Sequence, residues 1–63
     1  MCLSTVYAVE NGTEKKICEY VCRIEIDGKN VMLTDIMGEK ITVSGTLKSM
    51  DFVKNCAIIE SDK

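Results

Sequence analysis

The chain has 63 residues, which excludes a two-domain enzyme, a dinucleotide-binding α/β unit or a barrel of strand–helix pairs and points to one small domain spanning 1–63. Hydrophobic residues make up 46 % and charged residues 29 %, a balance typical of folded chains. Eight basic and ten acidic residues give a formal charge of −2, so no basic face for a phosphate backbone is visible and nucleic-acid binding is disfavoured.

In chain order, Leu3 to Val9 (LSTVYAV) is rich in Thr, Val and Tyr and predicts a strand. Glu10-Asn11-Gly12-Thr13 predicts a tight hairpin turn, because Asn-Gly supplies two residues that accept positive φ. A single helical turn is one reading of the next segment, Glu14 to Glu19, and of Asp51 to Asn55 further on. Val21 to Ile26 (VCRIEI) alternates, with Cys22, Ile24 and Ile26 on one side and Arg23 and Glu25 on the other, as in a half-buried strand. Asp27-Gly28-Lys29-Asn30 turns the chain, and Val31 to Thr34 runs back. Asp35-Ile36-Met37-Gly38-Glu39 reads as a corner in which Gly38 takes a positive φ and Ile36 or Met37 plugs the barrel end. Ile41 and Val43 face inward on a short strand that Ser44-Gly45 is expected to break. Thr46 to Met50 and Cys56 to Glu60 complete the set, joined through Asp51 to Asn55. Five or six strands with closely spaced turns predict an all-β fold, a small antiparallel barrel, SH3-like or similar.

A core this small is marginal, and such chains gain stability from disulfides, a metal or a partner subunit. No apolar run is long enough to cross a membrane or to act as a signal peptide. A cytoplasmic location is therefore expected, with reduced thiols and a dimer.

The absence of histidine removes the commonest general base and the commonest metal ligand. No motif frames a serine nucleophile, the carboxylate pairs Asp35/Glu39 and Glu25/Asp27 read as surface solubility, and Tyr7, Tyr20 and Phe52 are too spread for a stacking platform. The four cysteines remain. Cys18 and Cys22 are spaced C-x3-C. On a strand that spacing is about 13 Å at ~3.3 Å per residue, too far for one ion with metal–sulfur bonds near 2.3 Å. Cys18, Cys22 and Cys56 are accordingly expected to be small buried apolar residues.

Cys2 differs because it follows the first methionine. Its thiolate and the neighbouring backbone and terminal nitrogens can close five-membered chelate rings, and an α-amine with pKa near 7.7–8.0 deprotonates readily. Thiolate with nitrogen donors in a plane suits Ni(II) or Cu(II), whereas sulfur-rich tetrahedra suit Zn(II). Two chains about a two-fold axis would supply two nitrogens and two sulfurs. From spacing alone, a terminal thiol without a role is the alternative.

Met1-Cys2-Leu3-Ser4-Thr5-Val6-Tyr7 resembles the opening of the CooT family of small nickel-binding proteins. Leu33-Thr34-Asp35-Ile36-Met37-Gly38-Glu39 resembles that family's central segment, and Val43 to Leu47 with Ser49 to Phe52 resembles its closing hairpin. The likeness spans nearly the whole chain, and three further cysteines depart from the leanest pattern. The resemblance implies a homodimer of small β-barrels that holds one Ni(II) through Cys2 of each chain. It also implies a metallochaperone or nickel store rather than an enzyme, in the service of carbon monoxide dehydrogenase maturation. The alternative is a small RNA-binding β-barrel module, a label the family has also carried, and a third reading is an interaction module that uses an open sheet edge.

Overall fold

Asn11 (φ 54°) and Gly12 (φ 78°) are consecutive residues with positive φ. That pair closes the hairpin between β1 (Ser4–Glu10) and β2 (Thr13–Asp27), as the Asn-Gly dipeptide predicts. Gly28 (φ 60°) lies in the turn into β3 (Asn30–Asp35). The chain continues through β4 (Lys40–Asp51) and β5 (Cys56–Ser61). In this computed structural model, residues 4–62 are described.

The five strands form a closed barrel in the order β1-β2-β3-β4-β5. Sequential strands pair antiparallel, and a parallel β1–β5 ladder from Thr5↔Cys56 to Val9↔Glu60 closes the ring. Two strands are long enough to change partners. The first part of β2 pairs with β1 and the part beyond Val21 with β3. Likewise Lys40 to Ser44 of β4 pair with β3, and Gly45 to Asp51 pair with β5. Five strands therefore close a ring by bending β2 and β4 rather than by adding more strands.

Val6, Val21, Val31, Leu33, Ala57 and Ile59 are the buried core, with Ile17, Cys18, Ile24, Val43, Leu47 and Met50 packed against it. Val21 and Ile24 both turn inward although three residues apart, which a regular two-residue alternation forbids. A bulge supplies the missing phase: Val21 pairs with Asp35 and Arg23 with Thr34, leaving Cys22 as the extra residue.

Three expectations are corrected here. Glu14 to Glu19 is strand, not a helical turn, because Glu14, Lys15, Lys16 and Cys18 are cross-strand partners of β1. Ser44-Gly45 does not break the fourth strand. It is where β4 exchanges β3 for β5, and Gly45 permits this because a Cβ there would strike the Glu60 carbonyl oxygen. Ile36 and Met37 do not plug the barrel: both are exposed, Met37 to 84 %. Asp35 itself explains why, since it closes the corner without help from a buried side chain.

Candidate functional site

Cys2, the predicted metal ligand, lies outside the described residues, as do Met1 and Leu3. What the structure defines is the ground next to it. Ser4 begins β1 opposite Val21. It also lines an open groove with Val21, Cys22, Arg23, Ile24, Ile26, Leu47, Met50 and Phe52, where the outer half of β2 faces the outer half of β4. Arg23 is the charged side chain of that lining, and its guanidinium pairs with Glu25 at 3.2 Å.

Two loops frame this end. In the first, the Asp35 carboxylate accepts the amides of Met37 (2.9 Å) and Glu39 (3.0 Å), while the Gly38 amide donates to the Asp35 carbonyl at 3.0 Å. Gly38 has φ 86°, the conformation its lack of a Cβ allows. Asp35 is thus committed to its own turn, and the loop does not present it as a free acid. The Ile36 amide donates to the Tyr20 carbonyl at 2.9 Å, and so ties this loop to the bend of β2, where Tyr20 itself has φ 59°. In the second loop, the Asp51 carboxylate accepts the amides of Val53 and Lys54, both at 3.0 Å. These amides, Lys54's first, hold the Asp51 carboxyl below its ordinary value. The Asn55 carbonyl then accepts the Thr5 amide at 3.0 Å and fixes the loop against the start of β1.

The three described thiols do not meet in a common site: among the described residues no three His, Cys, Asp or Glu side chains gather into a group able to hold a metal. Cys18 packs against the core, and burial followed by the Asp35 carboxylate pushes its thiol above the ordinary value. Cys56 is half-buried at the head of β5. Cys22 was expected to be buried and is exposed, because the bulge takes it off the inward row; its Sγ lies 3.5 Å from the Asp35 carbonyl oxygen.

Sequence reasoning missed the apolar residues that this end leaves in solvent. Phe52 is 77 % exposed, Val53 92 % and Ile26 61 %, and Tyr20 and Ile36 are exposed as well. For Phe52, Val53 and Ile36 the signal available was large apolar residues inside turn segments, where a solvated loop usually carries polar ones. Tyr20 and Ile26 stand on β2 itself, and Ile26 is exposed although alternation assigns it to the half-buried face with Ile24.

A family model described as CO dehydrogenase accessory protein CooT matches residues 1–60. No curated protein matches the chain. A crystal structure described as CooT from Carboxydothermus hydrogenoformans superimposes with a TM-score of 0.86 at 18 % identity, covering 98 % of this chain and 100 % of the other. At that identity the likeness speaks for the fold.

Proposed function

The chain belongs to the CooT family, and from that premise we propose that it is a nickel-binding accessory protein, a metallochaperone or nickel store, that works as a homodimer in the cytoplasm. One Ni(II), as cargo, is held between two copies by the Cys2 thiolate of each. The observation that carries this reading is the family match over residues 1–60, which takes in the Met1-Cys2-Leu3 start. It is supported by the described barrel, where Cys18, Cys22 and Cys56 join no group of three ligating side chains.

Thiolate donors give the affinity, and an acceptor with its own thiols or imidazoles takes the ion by ligand exchange. The recipient that the family description suggests is carbon monoxide dehydrogenase or a factor of its maturation. The chain itself performs no catalysis in this reading. Binding weakens as pH falls, because the thiols must lose their protons to ligate.

Titration of the full chain with Ni(II), followed by native mass spectrometry, tests the proposal. One ion per two chains is expected, with loss of that ion in Cys2→Ser. Uptake by Cys2→Ser equal to the parent's would remove Cys2 from the site.

A further inference from the structure

We propose that the second copy seats on the apolar groove beside Ser4, with Phe52 and Ile26 of each chain entering the shared interface; this rests on the two-chain nickel reading above.

Chain reach carries the first step. Cys2 stands two residues before Ser4, so its Cα lies within about 7 Å of the Ser4 Cα whatever path the chain takes. The side chain and a metal–sulfur bond add about 5 Å. Two copies sharing one ion through Cys2 thus hold their Ser4 residues within roughly 24 Å of each other. The barrel measures 31 × 23 × 15 Å, so this limit constrains which faces can meet.

Surface chemistry carries the second step. The groove that Ser4 lines is apolar, and it holds two large hydrophobic side chains that the fold leaves in water, Phe52 and Ile26. Its charged member, Arg23, is already paired with Glu25, so a two-fold contact does not set bare like charges against each other. The barrel's other groove is the weaker seat. Ala8, Ile17 and Val43 line it beside Glu10 and Lys15, but none of the large hydrophobic side chains that stand in water belongs to it. It opens toward the far end of β1, where Glu10 is about 20 Å from Ser4 at ~3.4 Å per residue.

An aromatic side chain at the centre of a self-complementary patch is the usual anchor of such a contact. Sedimentation equilibrium of the full chain, with and without Ni(II), tests this with Phe52→Asp, Ile26→Asp and a control at the far groove, Thr13→Asp. All three positions are exposed, and circular dichroism reports whether each variant is folded. A dimer dissociation constant raised at least tenfold by Phe52→Asp or Ile26→Asp, and within twofold of the parent for Thr13→Asp, is the expected result. Folded Phe52→Asp and Ile26→Asp chains that dimerise like the parent overturn the assigned face, and so does a parent that is monomeric in both conditions. Nickel uptake by Cys2→Ser, in contrast, overturns the metal reading and leaves the measured interface standing.

Discussion

Gly45 lies with its Cα hydrogens against the carbonyl oxygen of Glu60, too close for any side chain to intervene. At the same residue β4 leaves β3 for β5, and the Gly45 amide donates to the Lys29 carbonyl at 2.8 Å. The barrel turns its corner on this contact, since only a residue without Cβ lets the two backbones approach.

Gly45→Ala therefore forces β4 and β5 apart or breaks the Lys29 hydrogen bond. Overpacking of this kind costs about 1–3 kcal/mol, and the clash with backbone places Gly45→Ala at the upper end of that range. For a chain this size the melting temperature falls by roughly 10–20 °C. A thermal melt followed by circular dichroism measures it, and an unchanged midpoint would show that the corner has slack.

Asp51 predicts an acid-dependent effect. Its folded pKa lies below the ordinary 3.8, so its contribution is present in full above 3.8 and is lost as pH falls through the depressed folded value. Asp51→Ala should lower the melting temperature at neutral pH, because the Val53 and Lys54 amides lose their acceptor. The gap between parent and variant should narrow as pH falls below 3.8. Melts across an acid series check this, and a gap independent of pH would assign the effect to something other than the carboxylate.

The thiols should differ in reactivity. Cys22 is exposed, whereas Cys18 packs against the core with its thiol pushed up by burial and by the Asp35 carboxylate. The thiolate is the nucleophile, so the raised value and the packing slow Cys18 together. At pH near 8, iodoacetamide should modify Cys22 at least tenfold faster than Cys18, read by peptide mass mapping, with the difference erased in denaturant. Equal rates in the native protein would contradict the packing of Cys18.

Much of the fold was legible in local residue chemistry. Asn11-Gly12 could be read as a hairpin and Asp35 to Glu39 as a corner with Gly38 at positive φ, because both depend on the conformational range of one or two residues. The strand pattern and the barrel followed from the alternation of Val, Ile and Thr against polar residues. Of the proposed site, Cys2 was put forward from residue type and position, and the match over residues 1–60 bears out the family that the sequence resembles. Burial of Cys22 could not be read in the same way. Alternation assigns it to the inward row with Ile24, and a bulge that depends on the pairing of β2 with β3 removes it.

Sequence by itself determined the all-β character, the Asn11-Gly12 and Asp35 to Glu39 turns and the small core, because each follows from properties that a residue carries wherever it stands. Tertiary structure alone decided that β2 and β4 bend to serve two neighbours each, that Gly45 meets Glu60, and that Phe52 and Ile26 stand in water beside Ser4. Those relations join residues far apart along the chain, and they exist only once strand pairing has set which backbones lie side by side.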